Sequence, residues 1–157
     1  MVPFGLTEAQ FATRYRRILE KVSDSSIARI ASVLQLSVPP SVLAANVELF
    51  MGEDGCAPSA WIYFRGENNK VDSRDTTIFP GRSMDLALDL AGLACFDEQY
   101  FDPEQFPGTY IAANITKTWL SECWWKAGGW PYSVPTTLSV HDDQGDGAIV
   151  VLSPSNA

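Results

Sequence analysis

Helical and strand-like periodicities come in runs along this chain and do not alternate. The order reads as two helices, three strand-like stretches, two helices and two closing strands. That order points to an α+β fold, because an α/β sheet would need strands alternating with helices. The expected architecture is an N-terminal helical hairpin and a later long helix packed on an antiparallel sheet, in one domain spanning 1–157.

The local signals are specific. Thr7 and Gln10 have capping-box spacing, with Leu6 and Phe11 placed to staple the start. Phe11, Tyr15, Ile18, Leu19 and Val22 share one face of a helix over 7–22, and Arg14, Arg17 and Lys21 lie off it. Ile27, Ile30, Ala31 and Leu34 form a second stripe that ends before Pro39-Pro40. Val47–Met51 and Ala60–Phe64 read as antiparallel strands around a turn-rich Gly52–Gly55, and Thr76–Phe79 as a third strand. Ser83 is placed to cap a helix from Met84 to Cys95, although Leu86, Leu88 and Leu90 also permit a strand. Asp97–Pro107 reads as an acidic, aromatic loop. A helix over 109–127 is stopped by Gly128-Gly129 and followed by Pro131. Pro135–Val140 and Ala148–Leu152 flank His141–Gly147 as a C-terminal hairpin.

Composition bounds the class. A length of 157 residues, 46% hydrophobic and 19% charged, suits a globular domain with its own core. The N-terminus lacks the charged and apolar regions of a signal peptide, and no apolar run is long enough to span a bilayer. Cys56, Cys95 and Cys123 are odd in number and widely spaced, which fits reduced thiols in a cytoplasm.

Charge is distributed unevenly. Residues 1–83 hold nine of the eleven Lys/Arg and nine of the nineteen Asp/Glu. The net charge of −8 therefore resides in 84–157, where ten carboxylates face Lys117 and Lys126. An acidic surface repels nucleic acid and anionic membranes and attracts basic proteins. Arg14, Arg16, Arg17 and Lys21 are read as the solvated face of the first helix, turned toward the acidic half of this chain or of a second copy.

The same half holds Trp119, Trp124, Trp125 and Trp130. At 100° per residue, Trp119 joins Ile111, Ile115 and Cys123 on the apolar face, and Trp124 lies at its edge beside Leu120. Trp125 falls on the opposite side with Asn114, Thr118 and Ser121. It either packs under a loop or strand, or stands as an exposed anchor. Trp130 allows the same two readings. Asp97, Glu98, Asp102 and Glu104 are either a solvated loop or an acidic patch that steers a partner.

Catalytic and metal motifs are weak. His141 is the sole histidine, and Cys123 or Ser121 would complete a residue list for acyl transfer. The His141–Gly147 run reads first as a turn. Asp142, Asp143 and Asp146 lack EF-hand spacing, and one His with three scattered Cys serves zinc poorly. No phosphate-binding glycine motif occurs, so no catalytic residue, metal or cofactor is assigned.

The run Glu122-Cys123-Trp124-Trp125-Lys126-Ala127-Gly128-Gly129, continuing through Pro131–Pro135 to His141-Asp142-Asp143, resembles the C-terminal end of small bacterial proteins. Some of these are similar to immunity proteins of interbacterial toxin systems. The resemblance implies a cytoplasmic acidic inhibitor that binds a cognate toxin domain and blocks it by occupation. The partner-binding residues would then be Trp125, Trp130, Asp97, Glu98, Asp102, Glu104, Asp142 and Asp143. A small hydrolase-like enzyme using His141, and a homo-oligomeric structural protein, are the competing expectations.

Overall fold

The computed structural model describes residues 2, 5–52, 57–67, 79, 81–90 and 96–155. The expected strand at 76–79 lies, apart from Phe79, outside these residues, as do Cys56, Cys95 and most of the Gly52–Gly55 turn.

Helix α1 (Glu8–Glu20) begins with the capping box. Gln10 N–H donates to Thr7 Oγ1 at 3.1 Å, and Thr7 N–H donates to Gln10 Oε1 at 3.0 Å. Its buried Phe11, Tyr15 and Leu19 are the residues that share one helical face. Helix α2 (Ser23–Leu34) follows after a tight turn and buries Ile30 and Val33. Phe11 is the centre of an aromatic cluster, with Phe96 at 4.5 Å, Phe106 at 5.3 Å and Tyr100 at 5.7 Å between ring centroids. The cluster ties α1 to the 96–106 loop, which includes a short 3-10 helix, Glu98–Phe101.

The strands are β1 (Val42–Phe50), β2 (Ser59–Gly66), β3 (Ser83–Asp85), β4 (Thr136–Val140) and β5 (Val150–Ser153), and helix α3 (Gly108–Lys126) lies between β3 and β4 in sequence. They form one sheet in the order β3-β2-β1-β4-β5. The fold is α+β, with all three helices packed on this sheet. One pairing differs from the antiparallel sheet expected: β1 runs parallel to β4, with Val47 opposite Leu138. A parallel neighbour needs a crossover, and the long segment carrying α3 supplies it.

Period-2 alternation sorts the faces. Ala45, Val47, Leu49, Ala60, Ile62, Phe64, Leu138, Val140 and Leu152 are buried on the helix side. Asn46, Glu48, Phe50, Trp61 and Tyr63 are half-buried on the other side.

Residues 84–90 are not helical, which corrects the helix expected from Met84. Backbone pairing with β2 wins there. Leu86 N–H donates to Ala60 O at 2.9 Å, and Phe64 N–H donates to Arg82 O at 2.7 Å. Leu86 and Leu90 are buried, so the leucine alternation is that of an extended chain on the core.

Helix α3 is enclosed more fully than one apolar stripe requires. Trp119, Cys123, Ala112 and Thr116 are buried, and so are Ala113, Lys117, Ser121, Leu120 and Trp124. It packs against α1 and α2 as well as β4 and β5. Trp119 Nε1 donates to Ser23 Oγ at 2.9 Å and Trp124 Nε1 to Ser153 Oγ at 3.0 Å, so each buried indole has a partner. Gly128, at φ +90°, ends the helix in the left-handed region.

Candidate functional site

Two surfaces carry the side chains of interest. The first is an aromatic corner at the C-terminal end of α3. Trp125 is 39% exposed and Trp130 53% exposed. Their rings meet edge to face, with centroids 6.3 Å apart and planes at 68°. The chain brings them together because the Gly128-Gly129 stop reverses its direction within one turn. Gly129 must be glycine: a Cβ there would sit 2.2 Å from the Trp124 ring.

Trp125 also has a structural role. Its Nε1 donates to the carbonyl of Leu152 in edge strand β5 at 3.0 Å. It therefore fits both readings of the residue, as a cover for a sheet edge that also presents a ring face to solvent. Trp130 is the freer of the two.

The acidic residues lie on other segments of the chain. Asp97, Glu98, Asp102 and Glu104 precede the N-terminus of α3, whose 19 residues span about 28 Å at roughly 1.5 Å per residue. Asp97, Glu98 and Glu104 are exposed. Asp102 organises its own loop, accepting from Glu104 N–H at 3.0 Å and from the Gln105 side-chain amide at 3.1 Å. Asp142 and Asp143 lie in a 3-10 turn after β4 (His141–Asp143), where Asp142 adopts φ 58°. Arg16 of the basic cluster is engaged within the chain, with Glu20 on its own helix and Glu122 on α3.

Around that turn, α3 organises the loop to β5. Lys117 is 4% exposed and donates to Asp146 and to the Ala148 carbonyl, the latter at 2.9 Å. Asn114 Oδ1 accepts from Asp146 N–H at 2.9 Å. The hydrogen bond from Lys117 holds the Asp146 carboxyl below the usual carboxylate range.

The second surface is the sheet face away from the helices, which the sequence reading did not single out. At its centre Asn46 Oδ1 accepts from Thr137 Oγ1 at 2.9 Å, and Asn46 Nδ2 donates to Ser139 Oγ at 3.3 Å. Next to it Glu48 Oε1 lies 2.9 Å from His141 Nδ1, while Asp142 lies 3.3 Å from Nε2. The Glu48 hydrogen bond raises the His141 pKa above its ordinary value. The His141 ring also packs on Phe50, with centroids 4.6 Å apart.

His141 is not joined by the thiol or hydroxyl that acyl transfer would need. Cys123 is buried, which pushes its thiol up to about 11. Ser121 is buried and donates to the Lys117 carbonyl at 2.8 Å. Among the described residues no group of three His, Cys, Asp or Glu is placed to hold a metal ion. No helix among them is long and apolar enough to cross a membrane.

Alternation alone carried the one available signal for the second surface. Asn46 and Glu48 in β1, and Trp61, Tyr63 and Arg65 in β2, occupy alternate positions between buried apolar residues. Comparison of the chain with family models, with curated proteins and with solved structures gives no match.

Proposed function

We propose that this protein is a stoichiometric inhibitor of the immunity type, which binds a basic toxin domain and neutralises it by occlusion. The observation that carries this reading is the exposed Trp125–Trp130 pair. Two indoles held edge to face on a fixed helix end present large apolar area with little conformational entropy left to lose, which is the chemistry of an interface anchor. The charge of the second half supports a basic partner. Such a role is exercised in the cytoplasm, where unpaired cysteines stay reduced.

The exposed Asp97, Glu98 and Glu104 contribute to approach and orientation, through a potential that is screened over about 8 Å at physiological salt. Trp130 and Trp125 then set the rate of dissociation.

Trp130 is the residue to test, because removing Trp125 also removes its bond to β5. The purified protein is titrated by calorimetry with the basic domain encoded by the adjacent reading frame. Tight one-to-one binding is expected, weakened by about 2 kcal/mol or more in Trp130→Ala, with an association rate that falls as salt rises. Absence of binding, or full affinity in Trp130→Ala, would overturn the proposal.

A further inference from the structure

The two ends of the sheet are finished differently. β3 is three residues long and exposes Ser83 and Asp85, with exposed Arg82 just before it. Short length and charge are how an edge strand discourages further pairing. β5, at the other end, pairs with β4 alone among the described strands. From Gly147 to Ser155 the chain has no charged residue. Ile149 is 67% exposed and Val151 49% exposed, so two branched apolar side chains stand in water beside this edge.

Part of this edge is closed. The register with β4 slips between Thr136 and Thr137, and the Leu152 carbonyl is taken by Trp125 Nε1. The open part is therefore 149–151. It is continuous with the aromatic corner, because Val151 adjoins Leu152, which holds Trp125. Of six large apolar side chains exposed among the described residues, Trp125, Trp130, Ile149 and Val151 make up four. At the other end of the open stretch, Ile149 lines a cavity of about 450 Å³ together with Glu48 and Asp142. Lys117 also lines it, but Asp146 neutralises that ammonium. His141, the partner of both carboxylates, carries at most one positive charge, so the cavity stays acidic. Those carboxylates, and a net charge of −8 on every copy, oppose pairing of β5 with a second copy of this chain and favour a cationic occupant.

We infer that the partner adds an extended segment to β5 along 149–151, with apolar side chains against Ile149 and Val151 and a lysine or arginine in the cavity lined by Glu48 and Asp142. Main-chain hydrogen bonds to the strand edge supply affinity, and the side-chain seats supply specificity. This grip presupposes the basic toxin domain proposed above and sets that partner's backbone beside the Trp125–Trp130 pair.

The test saturates the isotope-labelled whole chain with the basic domain encoded by the adjacent reading frame and follows amide hydrogen exchange residue by residue. Exchange within 149–151 should slow by about tenfold or more on binding. Ile149→Lys sets a cation on the open edge at an exposed position, so it should weaken binding by about tenfold or more with the urea midpoint unchanged. Thr13→Lys adds the same charge on exposed α1 and should change the affinity by less than about twofold. Tight binding with exchange at 149–151 unaltered, or equally tight binding by Ile149→Lys, would overturn the strand addition and leave the aromatic anchor standing. Absence of any binding would overturn both.

Discussion

Trp125 and Trp130 touch each other yet carry different loads. The Trp125 indole closes a hydrogen bond to Leu152 of β5, so Trp125→Phe, which keeps a ring and removes the N–H, should lower unfolding stability by about 1 kcal/mol in urea. Leu152 is itself buried, so its carbonyl left without a donor sets that cost. Trp130→Ala should stay within about 0.5 kcal/mol, as for other surface substitutions. A loss in Trp130→Ala as large as that in Trp125→Phe would mean that Trp130 is part of the core. Helical geometry from sequence correctly put Trp125 away from Trp119. It was silent on the Leu152 carbonyl, because a contact between a helix and a strand 27 positions later has no local signature.

At the level of elements, the α3 stop is the most demanding joint. Gly128 adopts φ +90°, and Gly129 sits against the Trp124 ring and carbonyl. Gly128→Ala should cost about 1 kcal/mol through the left-handed conformation alone. Gly129→Ala forces Trp124 off its Ser153 bond and should cost more, about 1–3 kcal/mol, with loss of near-ultraviolet tryptophan dichroism. Equal effects of the two, measured by thermal unfolding, would place the constraint in backbone conformation and not in packing. This stop was readable because glycine punctuation is a backbone property. The burial of Lys117 and Ser121 was not. Lys117 is tied to Asp146 and Ala148 of the return loop from β4 to β5, a long-range contact that spacing along α3 does not reveal. At 84–90 the leucine alternation served two periodicities, and the ladder with β2 decided between them.

For the whole molecule, two ionisable groups bracket the stable pH range. Asp146 titrates below its ordinary 3.8 in the fold because Lys117 donates to it. Its stabilisation is complete above that value and is lost as pH falls through the folded pKa. His141 titrates above its ordinary 6.5 because Glu48 accepts from it. Its stabilisation is complete below 6.5 and is lost as pH rises through the folded pKa. The urea midpoint should therefore be highest between about pH 4.5 and 6.5. Asp146→Asn should flatten the acid limb and His141→Gln the alkaline limb. A midpoint that still falls between pH 6 and 8 in His141→Gln would assign the alkaline loss to another group. Fold class and most element positions were legible because hydrophobic period and capping are local. The neighbour of β1 was not, since alternation specifies the face of a strand and says nothing about which strand lies beside it. That neighbour, β4, begins only at Thr136. During synthesis the central strand must therefore wait until Thr136–Val140, far downstream of it, has left the ribosome before its second edge is paired. Until then β1 and β2 hold an open sheet edge that a chaperone, or another nascent chain, can reach.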